Sequence, residues 1–207
     1  MTAPMMTAEE ITALLTRDGR FLCARWSRPV APVLFGLADE QLPIFRTAIA
    51  AVLQDAGVPL TDTDPESGAN LITFLMRDWA ELAEVPDLDK LTGIPGLPER
   101  LMREATPDPS AEGISRYQLF RFDAAGAIRA CICLLRLPDP DHAPHPAALA
   151  ESLAVNAMLT FSREVSPNPA LAALIRAAYD PVLPACATDS SHALRLQARM
   201  IATQTGQ

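Results

Sequence analysis

SRYQLFRFDAAGAIRACICLLRL, residues 115–137, sets two apolar runs on either side of Asp123-Ala124-Ala125-Gly126. A four-residue connection with Gly last suits a type I turn followed by a left-handed residue, so the segment predicts a β-hairpin. What precedes it predicts parallel strands. RPVAPVLFG, residues 28–36, is an apolar run broken by Pro29 and Pro32, which fits a strand start or an exposed edge. From Asp39 to Ala56 the residues Leu42, Phe45, Ile49, Val52, Leu53 and Ala56 recur at intervals of three and four, giving one buried helical stripe. Pro43 is tolerated in the first turn and Gly57 ends the helix. ANLITFLM, residues 69–76, reads as a buried strand. Strand, helix, strand implies a parallel pair with a right-handed crossover. Joined to the hairpin, it predicts an α/β (α+β) fold with a mixed sheet of about four strands.

The rest frames that sheet within a single domain, 1–207. Residues 1–20 form a helical extension, where Thr7 and Glu10 make a capping box ahead of Ile11, Leu14 and Leu15. Residues 80–114 alternate Pro86, Pro95, Pro98, Pro107 and Pro109 with Gly93, Gly96 and Gly113, and read as a long internal connection holding short helical pieces such as LPERLMREA. Helices follow over about 146–163, from Asn168-Pro169 onward, and over about 190–203 from an Asp189 or Ser190 start.

Composition excludes several functions. Against 17 basic residues stand 25 acidic ones, a net charge of −8 that repels a phosphate backbone, so no nucleic-acid partner is expected. No run approaches the ~18 apolar residues of a membrane span. No secretory signal is visible at MTAPMMTAEE, which leads us to expect a cytoplasmic protein, or a periplasmic or envelope-associated one if a leader was removed. The nine glycines form neither GxGxxG nor GxxxxGK, and no cofactor is expected. Cys131 and Cys133 share a strand face; Cys23 and Cys186 stand isolated, so reduced thiols are expected.

ARWSRPVAPVLFG, SGANLITFLM, IRACICLL and LIRAAYDPVLP, with Trp26, Asn70, Glu151, Tyr179, Asp180 and Pro181 at their marked places, resemble the proteobacterial domain of unknown function 2927 family, whose members are often labelled lipoproteins. The resemblance covers residues 17–203 and implies a zincin-like fold akin to metzincin peptidases. It departs where relatives carry two acidic residues, here Glu151-Ser152, and where they carry Gln, here Val155.

A zincin holds its ion with His-Glu-x-x-His, because residues i and i+4 of a helix share a face while the Glu handles the water proton. In ALAESLAVNAMLTFS, residues 148–162, Glu151 and Val155 fall at the histidine places and Ser152 at the base. Valine has no lone pair and serine is a poor base near neutrality. The expectation is a zincin-like module without catalysis that binds an unknown protein or peptide. The alternative is a hydrolase with a metal site near His142, His145 and Glu151. Trp26 and Arg28 are candidate binding residues through ring stacking, with core or edge packing the default for Trp26, and Ser190, Ser191 and His192 are read as capping rather than as a catalytic set.

Overall fold

In the computed structural model, described over residues 5–104 and 115–205, the chain opens with α1 (Ala8–Leu15) and short strands β1 (Thr16–Arg17), β2 (Arg20–Phe21) and β3 (Cys23–Ala24). Then come β4 (Pro32–Phe35), α2 (Leu42–Asp55), β5 (Leu71–Met76), a 3-10 helix (Trp79–Glu84), α3 (Leu88–Thr92) and α4 (Leu97–Glu104). The hairpin is β6 (Ser115–Phe122) and β7 (Ile128–Arg136). A 3-10 turn (Pro140–His142), α5 (Pro146–Met158), α6 (Pro169–Ala178), β8 (Cys186–Ala187) and α7 (His192–Thr205) complete the chain. Residues 1–4 of the expected extension and 105–114 of the expected connection lie outside the described residues.

The main sheet has four strands in the order β4-β5-β7-β6, with β4, β5 and β7 parallel and β6 antiparallel at the edge. The mixed sheet and the α2 crossover are therefore as the sequence predicts. β5 is paired on both sides, with Thr73 opposite Leu34 and Cys133, which is why LITFLM carries no charge. Alternation sorts its neighbours. Leu71, Leu75, Cys131, Cys133 and Leu135 point toward α2 and α5, while Ile72, Phe74, Ile132 and Leu134 point the other way.

That second face is covered by residues 79–104. Trp79, Leu82, Leu88, Leu97 and Leu101 pack on it as a core cluster of their own. The described part of the long connection is thus a second helical layer. Each short piece contributes one or two anchors, too few to show a periodic stripe. Local chemistry starts it: Asp78 accepts from the Ala80 amide at 2.9 Å and Glu81 from the Asp78 amide at 2.8 Å.

Two further differences concern the chain's ends. Asp18 (φ 51°) and Gly19 (φ 74°) turn β1 into β2, the left-handed pair that a two-residue hairpin demands. β3 then pairs antiparallel with β8, setting Cys23 opposite Ala187 and Ala24 opposite Cys186. The cysteines expected to be isolated are neighbours on adjacent strands. Both are free thiols, and burial, with Cys186 next in effect, pushes Cys23 up to about 12.

At Gly36 (φ 82°) an added Cβ would stand 1.9 Å from the Leu75 carbonyl oxygen. Gly36→Ala is expected to cost at least about 2 kcal/mol, read as a lowered urea midpoint, since neither backbone can move away within a parallel pair. His192 gives a second expectation. Burial, then the nearby Arg195 charge, holds its pKa below the ordinary value. The unfolded chain takes up this proton more readily than the folded one. Stability from this group is present above about pH 6.5 and is lost as pH falls toward the folded value. His192→Gln should flatten the loss of urea midpoint between about pH 7 and pH 5.

Candidate functional site

Helix α5 separates two clefts, and its rotation decides which residues enter each. It starts at His145, whose Nδ1 accepts from the Ala147 amide at 3.2 Å, with Pro146 next. It ends at Met158, short of the expected 163, because partners from other segments take its last carbonyls. Trp26 donates from Nε1 to Ala157 O at 2.8 Å, and the Tyr179 hydroxyl donates to Met158 O at 2.8 Å. Beyond, Thr160 accepts from the Ala24 amide at 3.0 Å and donates to Leu22 O at 2.7 Å, drawing the chain into extended form.

On one side of α5, Glu151 and Val155 line a groove of about 840 Å³ between α2, α5 and α6. Ala48, Ala51 and Val52 of α2 form one wall, and Ala172 and Ile175 of α6 the other. The lining is apolar and small. Its polar groups are His145, Asn168, Glu151 and Asp55, and Asp55 is paired with Arg176 at 2.8 Å. Glu151 is exposed and makes no ion pair or side-chain hydrogen bond among the described residues.

The other side faces the sheet edge, and it presents Ser152 and Asn156. At about 100° per residue, a shift of one position moves the i, i+4 pair from Glu151/Val155 to Ser152/Asn156. Arg116 of β6 donates from Nη2 to Ser152 Oγ at 3.0 Å and from Nε to Glu164 Oε1 at 3.2 Å. Its side chain is 5% exposed, and Nη1 finds no acceptor among the described residues. Gln118 donates to Asn156 O at 3.0 Å and Cys131 Sγ at 3.2 Å. Asn156 spends its amide on the chain: Nδ2 donates to Ser152 O and Val165 O, both at 2.8 Å, and Oδ1 accepts from the Val165 amide at 2.9 Å.

The remaining candidates are placed as follows. His142 is exposed at the end of the 140–142 turn, and His145 is an exposed cap. Among the described residues no three His, Cys, Asp or Glu side chains gather closely enough to hold a metal ion, so His142, His145 and Glu151 do not converge. Trp26 is 2% exposed and spends its indole N–H on α5, so it is a core residue and not a stacking surface. Arg25 lies over the Tyr179 ring instead, 5.4 Å from its centroid. Arg28 pairs with Glu66 at 2.9 Å and Asp64 at 3.7 Å, beside Asn70, whose Oδ1 accepts from the Ala31 amide and whose Nδ2 donates to Pro29 O and Asp64 Oδ2. That network braces the start of β4. Cys131 and Cys133 lie 3.6 Å apart, fully buried, with burial as the first cause of a raised Cys131 pKa. Both are packing residues. Asp189 caps Ser191 at 2.8 Å while His192 is buried.

Sequence reasoning missed Arg116, Gln118 and Asn156. The signal was there: Arg116, Gln118 and Phe120 alternate with Tyr117 and Leu119, so the three share one strand face. The polar members look solvent-facing until α5 is laid across them.

No protein-family model, curated protein or solved structure matches the chain.

Asn156→Ala leaves the Val165 amide and carbonyl buried without partners. At about 1–3 kcal/mol each, a loss of about 2–6 kcal/mol is expected in urea unfolding. Ser152→Ala, at a half-exposed position, should cost less than about 1.5 kcal/mol in the same measurement.

Proposed function

We propose that this chain is a zincin-like domain without hydrolytic chemistry, related in plan to the domain of unknown function 2927 family, and that it binds a segment of a protein partner in the groove between α2, α5 and α6. The order of elements supports the scaffold reading: a crossover helix after the first sheet strand, an antiparallel edge strand, and α5 beside α2 on one face. The chemistry supports the loss of hydrolysis. Neither Glu151/Val155 nor Ser152/Asn156 offers the paired imidazoles that hold a catalytic zinc ion. Asn156 is bound on both its oxygen and its nitrogen, and a guanidinium stands against Ser152.

The groove carries the binding reading. Its walls of Ala and Val let a partner backbone approach closely, as an amphipathic helix laid in a trough requires. Glu151 places an unpaired carboxylate at the rim, in a chain of net charge −8. The complementary partner is an apolar helix bearing a lysine or arginine.

The test uses fluorescence anisotropy with a labelled Ala/Leu helical peptide carrying one lysine, against its glutamate counterpart. The lysine peptide should bind more tightly. Ala172→Arg should abolish binding by filling the groove, and Glu151→Gln should weaken it by about fivefold or more. Equal binding of both peptides, or an Ala172→Arg variant that binds normally, would sink the reading. Metal analysis tests the other half: stoichiometric zinc that disappears in Glu151→Ala, or turnover that disappears when His142 and His145 become Ala, would reinstate a hydrolase.

A further inference from the structure

The cleft on the opposite side of α5 is separate from that groove and opposite in charge. It encloses about 290 Å³, at the small end of the ligand-site range of roughly 300–1,000 Å³. Arg17, Arg116 and Arg163 line it together with Glu164, Phe120 and Phe161. In a chain with a net charge of −8, three guanidinium groups around one small cavity are a local reversal of sign.

We propose that this cleft is a binding site for a carboxylate carrying one apolar or aromatic group. Arg116 is the anchor. Its side chain is 5% exposed and lines the cavity, and its Nη1 lacks an acceptor among the described residues. A buried guanidinium with an unused donor is costly unless an anion completes it. Arg17 is held in place by donating from Nε and Nη2 to Ser162 O at 3.2 and 3.0 Å, and from Nη2 to Phe161 O at 3.2 Å. Arg163 is exposed at the mouth and has no ion-pair partner among the described residues.

Glu164 shows which anion the fork accepts. Its carboxylate lies on Arg116 at 3.1–3.2 Å while its side chain is 41% exposed. A half-exposed carboxylate of the chain itself occupies part of the site, so an incoming carboxylate exchanges with it at little cost. Phe120 and Phe161 supply the apolar floor that a bare inorganic anion would not use. The carboxylate has two sources with the same chemistry, a free apolar acid or the C-terminus of a peptide ending in an apolar residue.

Calorimetric titration of the whole chain with phenylacetate, phenylacetamide and inorganic phosphate tests the assignment. Phenylacetate should bind saturably, and phenylacetamide at least about tenfold more weakly because it cannot pair with the guanidinium groups. Glu164→Gln removes the internal competitor and should tighten phenylacetate about threefold or more; Arg163→Gln should weaken it similarly. Arg163 is exposed, and Gln at 164 keeps an amide oxygen as acceptor for Arg116. N-acetylphenylalanine separates the sources: binding tighter than phenylacetate assigns a peptide terminus, and weaker binding assigns a free acid. Phosphate binding as tight as phenylacetate, equal binding of acid and amide, or weaker binding in Glu164→Gln would each overturn the proposal.

Discussion

The last turn of a helix leaves carbonyl oxygens that its own backbone cannot satisfy, and where α5 ends these are buried. Trp26 and Tyr179 satisfy two of them, Ala157 O and Met158 O, from segments 131 residues before and 21 residues after. The Tyr179 hydroxyl also accepts from the Trp26 amide at 3.1 Å, so the donors are joined to each other. Its phenol is accordingly held protonated, with burial the leading cause of its raised pKa. This knot fixes both the length of α5 and its rotation. The rotation in turn decides that Glu151 looks into an apolar trough and Ser152 toward the sheet edge. Either cleft would change its lining if the helix turned by one residue.

Legibility in the sequence follows from how far each signal reaches along the chain. The hairpin, the crossover helix and the buried central strand rest on local periodicity and on turn residues a few positions apart, and all were readable. Gly126 (φ 81°) is where the left-handed residue was expected, with Asp123 accepting from the Ala125 and Ala127 amides. The end of α5 was not readable, because Ala157 to Ser162 remain apolar enough to continue a helix and the residues that stop it are distant. The β3–β8 ladder is only two residues long on each strand, below any periodicity. Packing was the default reading of Trp26 and the structure agrees with it, but the distant carbonyl that takes its indole N–H could not be read locally.

Arg116 was invisible for a deeper reason. A charged residue in a strand normally marks the solvent face, and burial of a guanidinium is tolerated only when its donors are met. Ser152 and Glu164 meet part of that need, from positions 36 and 48 residues away. Under the zincin-like reading, the consequence is electrostatic. A fixed cation beside the helix face at Ser152 raises the energy of any metal ion placed there, since two positive charges repel at short range in a medium less screening than water. The same charge makes the cleft attractive to a carboxylate.

The two clefts share α5 and also share the segment that follows it. Glu164 lines the arginine-bearing cleft, whereas Pro167, Asn168 and Pro169 rim the apolar groove. Besides α5 itself, Val165 and Ser166 join the two linings along the chain. Val165 is buried and held by Asn156 through both its amide and its carbonyl. On the far side Asn168 caps α6, accepting from the Leu171 amide at 3.0 Å. Both ends of that short path are pinned by side-chain hydrogen bonds. Coupling between sites needs an element with two arrangements that both ligands bias. The two linings differ in charge on opposite sides of one helix.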